Sequence, residues 1–238
     1  MDKTVVIAGV GPGLGAALAR RFVKEGCRVG MFARSADYLH ALASELNGPQ
    51  SAALAVPVDL TNQEQITNGF ARVRERFGAV DVLINHAGSG IWKGLLELSS
   101  EEFEQAWRVG AYGSFLCARE AVPDMIRQGG GTILFTGATS SVRGRGGAPA
   151  FSSAKFAVRG LAQSLARELW PQGIHVAHVI VDGVIDTQEV RQNAAVAADE
   201  PLLNPDAIAE TYWSLVIQER SAWTLELDLR PFKEDFFV

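Results

Sequence analysis

Cysteine is scarce in this chain: two among 238 residues, Cys27 and Cys117, far apart and set in apolar surroundings. That excludes a disulfide framework; two buried free thiols in a reducing compartment fit better. Histidine is nearly as rare, with four in all, and no Cys/His group has zinc spacing, so no metal site is expected. His175 and His178 stand three apart on an expected strand, hence on opposite faces, and cannot pair on a metal. Basic charge is not in excess: 22 Lys and Arg meet 27 Asp and Glu, a net −5 with neither sign gathered into a tail. This argues against a nucleic-acid partner. No apolar run reaches bilayer length, and "MDKTVVIAGV" passes into a strand pattern without the parts of a leader. No membrane partner and a cytoplasmic location are therefore expected. Repeats and linkers are also lacking, so residues 1–238 read as a single domain.

What is present is an alternation. Apolar, β-branched runs at Thr4–Val10, Arg28–Ala33, Ala52–Val58, Val80–Asn85, Thr132–Phe135, His175–Val181 and Trp223–Leu229 are separated by helix-period stretches. The helices are expected near Gly13–Lys24, Ala36–Leu46, Glu64–Phe77, Glu101–Arg127, Phe151–Leu169 and Pro205–Gln218. Near-continuous apolar strands joined by helices predict an α/β fold. It is a Rossmann-like, doubly wound, mainly parallel seven-stranded sheet with helices on both faces. Ser99 with Glu102 reads as a capping box, and Asn204 before Pro205 as a helix start. The one long aperiodic stretch, Gly183–Leu203, reads either as a substrate lid or as a plain loop.

The first strand runs into "AGVGPGLGAALAR". Gly9, Gly11, Gly13 and Gly15 let backbone approach a pyrophosphate, and the helix that follows offers free N–H groups and its positive dipole end. Strand before and helix after supply the context that a glycine pattern needs to mean dinucleotide binding. About 20 residues further on, the position that reads a ribose holds Ala33 and then Arg34 instead of an acid. A guanidinium suits a 2′-phosphate, which favours NADP over NAD as cofactor.

The spacing of Gly9, Gly13 and Gly15, with "VDLTN" from Val58, "NHAG" from Asn85, Phe151/Lys155 at a helix start and "VIVDGVIDT" from Val179, resembles the short-chain dehydrogenase/reductase family. The resemblance covers Thr4 to about Arg230. It implies cofactor contacts for Leu14, with Asp59 beside the adenine and Leu60 lining its slot. It further implies Asn85, Ala87 and Gly88 beneath the adenosine ribose, Lys155 on the nicotinamide ribose and Thr187 on the carboxamide. It also implies a homodimer or homotetramer, paired through the helices carrying Trp107, Phe115, Phe156 and Leu161.

Set against that family pattern, a hydroxyl is missing. The family's tyrosine, four residues before the lysine, is Phe151 here; its serine, thirteen before the tyrosine, is Ala138; and its helix asparagine falls at Gly110. Lys155 alone remains of the catalytic set. A positioned general acid contributes about 10²–10⁴ in rate, so ordinary ketone reduction should be slow rather than forbidden. Lys155 itself, Ser152, Ser153, Thr139, Ser140, Tyr112 and His86 are the remaining candidate donors, each with an easier structural role. Arg143 and Arg145 read as an anion site or as a solvated loop, and Trp92 as a wall of the substrate slot or as packing. The resemblance implies an NADP(H)-dependent oxidoreductase with an atypical active site, moving hydride to or from a small carbonyl or an activated double bond. Two other readings stay open: a non-catalytic dinucleotide-binding sensor or partner subunit, and a lyase or isomerase on the same fold.

Overall fold

The computed structural model describes residues 2–48, 51–193 and 200–233. Its elements alternate as the periodicity predicts. They run β1 (Thr4–Ala8), α1 (Leu14–Lys24), β2 (Arg28–Ala33), α2 (Ala36–Leu46), β3 (Ala53–Pro57), α3 (Gln63–Phe77) and β4 (Val82–Asn85). There follow α4 (Ser100–Trp107), α5 (Gly113–Arg127), β5 (Gly131–Ala138), α6 (Pro149–Leu169) and β6 (Ile174–Val181). The last part holds β7 (Val184–Ile185), α7 (Gln188–Gln192), β8 (Leu202–Leu203), α8 (Pro205–Val216) and β9 (Glu226–Leu229).

Seven strands form one sheet in the order β3-β2-β1-β4-β5-β6-β9, and every neighbouring pair is parallel. Parallel pairing requires crossovers, and the helices supply them on both faces. On one face α1, α2 and α8 pack Leu18, Phe22, Leu39 and Tyr212 against Ile7 and Met31. On the other, α3, α5 and α6 pack Ile66, Phe70, Leu116 and Val158 against Phe32 and Leu83. Fully burying a side chain of this size stabilises the fold by about 1.5–3 kcal/mol. The chain reverses its direction of travel across the sheet between β1 and β4, so a crevice opens at the carboxyl ends of these two strands.

Boundaries differ from the sequence expectation where tertiary partners intervene. The strand expected over Thr132–Phe135 runs on to Ala138, because β6 pairs with all eight residues of β5. The strand expected from Val80 starts at Val82, since the Val80 N–H donates to the buried Asp124 carboxylate instead of a ladder. The strand expected from Trp223 starts at Glu226, after a 3₁₀ turn over Arg220–Ala222. The single helix expected over Glu101–Arg127 is two, with a π-helical turn over Arg108–Tyr112 between them. Inside Gly183–Leu203 lie α7 and a small β7–β8 pair. Residues 194–199 of that stretch fall outside the described residues. The Ser99/Glu102 capping box forms, and Asn204 caps α8 through the N–H groups of Asp206 and Ala207.

Candidate active site

The loops leaving the carboxyl ends of the strands enclose one long cleft of about 1440 Å³. Gly9, Gly11, Gly13, Leu14 and Gly15 wall it after β1, Arg34 after β2, Asp59 and Leu60 after β3. Ala87 and Gly88 follow β4, Ala138 ends β5, Phe151 and Lys155 stand on α6, and Thr187 precedes α7. Residues scattered over nearly two hundred positions thus meet because strand ends meet.

The glycine segment has the shape of a cradle. Gly9 has φ +107°, and a Cβ there would lie 2.6 Å from the Ala87 backbone. A Cβ on Gly15 would lie 2.8 Å from Val10 Cα, whereas one on Gly11 would meet nothing within 4 Å. Backbone is therefore crowded from behind and open in front, as a large anion requires. The Thr187 methyl lies against Gly13, 2.8 Å from where a Cβ would stand; among the described residues α1 has no side-chain cap and no acid in its first turn, so its dipole and leading N–H groups are available. Arg34 is exposed and makes no ion pair among the described residues. Asp59 turns one carboxylate oxygen back to the Thr61 N–H at 2.9 Å and hydroxyl at 2.8 Å. The Thr61 N–H, above all, holds the Asp59 carboxyl below the usual carboxylate range. Residues and shape fit a phosphorylated dinucleotide.

At the other end stands Lys155. It is buried, and its ammonium donates to the Thr136 carbonyl at 2.8 Å. Desolvation draws its pKa down to about 8. Starting α6 at Pro149 puts Phe151 in the first helical turn with Lys155 one turn on, on the same face. The Lys155 Nζ lies 5.7 Å from the Phe151 ring centroid. Across the slot, the Trp92 ring sits 4.9 Å from Phe151, and Arg145 lies over Trp92 at 5.4 Å.

Two candidates do not reach the cleft wall. Asn85 is enclosed beneath the end of β4, with both polar side-chain atoms buried and unpartnered. Gly110 is buried in the π-helical turn, where an added Cβ would face Ala154 at 3.5 Å. The candidate donors also sort themselves. Ser152 Oγ accepts from the Arg145 N–H, Ser153 Oγ donates to the Ala150 carbonyl, and Thr139 Oγ1 donates to Asp182. Tyr112 lies between Trp107 and Phe115 on the outer surface, with centroids at 6.2 and 6.4 Å. Ser140 and His86 remain on the cleft wall.

His86 is tied to an element that sequence reasoning did not connect with the site. Its Nδ1 lies 3.3 Å from Thr136 Oγ1, which lies 2.7 Å from the hydroxyl of Tyr212 on α8. Tyr212 is buried and has no second hydrogen-bond partner among the described residues. With the Tyr212 O–H donating to Thr136 and the threonine proton passing to His86 Nδ1, the imidazole hydrogen sits on Nε2; in the other tautomer the Thr136 oxygen accepts from both. Burial, with Lys155 adding to it, lowers the His86 pKa to about 4, so the ring is neutral near pH 7 and still a donor. Asp182 is the other residue not foreseen. Buried at the end of β6, it takes Thr139, Arg143 at 2.9 Å, and Arg230. Its only sequence signal was an acid at a strand end. His175 and His178 are both buried; His175 faces the carbonyls of Leu215 and Thr224, and His178 faces Glu226.

Residues 3–197 match the family described as short chain dehydrogenase. An uncharacterized oxidoreductase of Staphylococcus aureus (strain N315) is 29% identical over 230 residues, 97% of each chain. Among solved structures, a short-chain dehydrogenase from Rhodopseudomonas palustris superposes with a TM-score of 0.84 at 34% identity, covering 98% of this chain and 100% of that one. An alcohol dehydrogenase from the archaeon Thermococcus sibiricus, in complex with 5-hydroxy-NADP, gives 0.86 at 28% identity over 99% of both chains.

Proposed function

Because the chain belongs to the short-chain dehydrogenase family, whose members are NAD(P)-dependent oxidoreductases, we propose that it is an NADP(H)-dependent oxidoreductase with an atypical active site. It moves hydride to or from a small carbonyl compound or an activated double bond. One observation carries this reading. A glycine cradle open at Gly11, an Arg34 with no ion pair among the described residues and a buried Lys155 line one cleft, with groups suited to a pyrophosphate, a 2′-phosphate and the reaction end respectively. The cradle and the leading N–H groups of α1 hold the pyrophosphate, and Arg34 holds the 2′-phosphate. Asp59 and Leu60 flank the adenine, and Ala87 and Gly88 lie under its ribose. Lys155 and Thr187 orient the nicotinamide end.

When bound, NADPH supplies hydride to the carbon of a C=O or activated C=C and leaves as NADP⁺; the matching proton comes from water. Phe151 has no hydroxyl to pass that proton on. Lys155, fixed by the Thr136 carbonyl, keeps a positive charge beside the developing oxyanion, and the neutral His86 N–H adds a second donor. Ala138 and Phe151 place a methyl group and a benzene ring at the reacting end, so the proton is passed from water without a side-chain hydroxyl between. A homodimer or homotetramer fits the exposed Trp107, Phe115 and Phe156, 41–43% accessible; sedimentation velocity tests it. The test of function is fluorescence titration with NADPH and NADH, then oxidation assays over aldehydes, ketones, imines and enones. Saturable binding with turnover of at least one class is expected. The loss of three coupled side chains favours a second reading, a non-catalytic sensor or partner subunit. Binding without turnover over the whole panel would select it, and absence of binding would remove both.

A further inference from the structure

The reaction end of the cleft carries charge and ring surface that hydride transfer alone does not use. Phe151 and Trp92 form a two-ring wall with centroids 4.9 Å apart and planes tilted by 43°. Trp92 is 55% exposed, a large apolar surface left open inside a concave site. Each ring has its own cation: Lys155 Nζ lies 5.7 Å from the Phe151 centroid and Arg145 Cζ 5.4 Å from that of Trp92. Arg143 and Arg230 are engaged by Asp182, and Arg230 also by Asp228 at 3.2 Å. Arg145 has no such partner: among the described residues no carboxylate lies within ion-pair distance of it. Its backbone N–H is anchored to Ser152 Oγ, and its guanidinium rests on the indole. Glu200, the acid that the stretch Gly183–Leu203 places on the same cleft, lies beyond ion-pair distance of Arg145.

We infer that the substrate is a carboxylate with an apolar, preferably aromatic, body, seated on Phe151 and Trp92 with its carboxylate on Arg145 and its reacting carbon toward Lys155. This rests on the oxidoreductase reading above and names the substrate class for that site. The physical case has three parts. Covering Trp92 removes exposed apolar surface from water, worth roughly 25 cal/mol per Å². A guanidinium held near an indole by cation–π attraction gives up less freedom when its planar fork takes a carboxylate bidentately. With Arg143 committed to Asp182, one free fork matches one monovalent carboxylate better than a phosphate dianion. The missing Phe151 hydroxyl fits the same picture: a substrate anchored at its far end relies less on a hydrogen bond to its reacting oxygen.

The test uses redox-inert probes, so that binding is read apart from turnover. 3-Phenylpropionate, its methyl ester and phenyl phosphate are titrated by calorimetry, with and without NADP⁺, and NADPH is titrated on the same preparations. The acid should bind at least about 10-fold tighter than the ester, as a charge-assisted hydrogen bond allows. Arg145→Gln should bring the ratio to about one without weakening the ester or NADPH, and Arg145→Lys should restore part of it. Trp92→Ala should weaken acid and ester alike. Equal affinity for acid and ester, tighter binding of phenyl phosphate, or a preference that survives Arg145→Gln would overturn the assignment while NADPH binding stands. Failure of NADPH to bind would instead strike at the cofactor reading.

Discussion

The two ends of the cleft contrast. At the β1–α1 turn the site is built from backbone: a glycine segment crowded from behind by Ala87 and an uncapped helix start, with Arg34 exposed beside them. At the α6 end a buried lysine stands among a benzene ring, a methyl group and a glycine, which on the function proposed above replace the family's hydroxyls and amide. Binding a dinucleotide depends on backbone shape, which many side chains tolerate. Proton delivery depends on particular atoms, so it can be lost or rebuilt without disturbing the fold. Redesign at one end thus need not touch the other.

That separation can be broken first at the cradle. Gly9→Val places a branched side chain at φ +107° against the Ala87 backbone. Saturable NADPH binding should vanish, and thermal melts should show a loss of about 1–3 kcal/mol from the strained backbone. The reacting end gives the next largest effect. Phe151→Tyr combined with Ala138→Ser should raise ketone reduction by about 10²–10⁴, read as kcat/KM with NADPH affinity unchanged. No gain would mean that the reacting end has been remodelled beyond its lost hydroxyls.

Arg34→Ala sharpens the contrast within the cofactor. NADPH affinity should fall roughly 10-fold, the scale of an exposed charge-assisted hydrogen bond, while NADH affinity stays level. A last effect, of pH, reads the reaction end through stability alone. The folded state holds Lys155 at a pKa of about 8, below its ordinary 10.5. Below pH 8 the ammonium is charged in both folded and unfolded chains, and its burial cost is fully present. Between the two values the folded protein has shed the proton and the unfolded chain has not, so stability rises with pH. The stability advantage of Lys155→Met over wild type should therefore shrink between pH 7 and 10 in parallel denaturant titrations.

Much of this could be read before any coordinates. The layer order, the parallel sheet and the glycine turn follow from hydrophobic period and glycine spacing. The Phe151/Lys155 pair was legible because four residues make one helical turn. Gly110 and Asn85 were legible as positions but not as surroundings. Burial of Asn85 depends on which side of β4 faces inward, and the retreat of Gly110 against Ala154 depends on the π-helical turn. Tyr212 behind Thr136 and His86 left no local trace, since the three stand on three separate elements.

By itself the sequence determined the doubly wound architecture and the phosphate cradle, because both are built from short-range rules: side-chain period, helix capping, and glycine where a Cβ would collide. Only tertiary structure decided what surrounds Lys155. Trp92 against Phe151, Asp182 between two arginines, and the hydrogen-bond chain from Tyr212 are contacts between distant segments. Their geometry is set by how strands stack and loops close, which no stretch of neighbouring residues encodes.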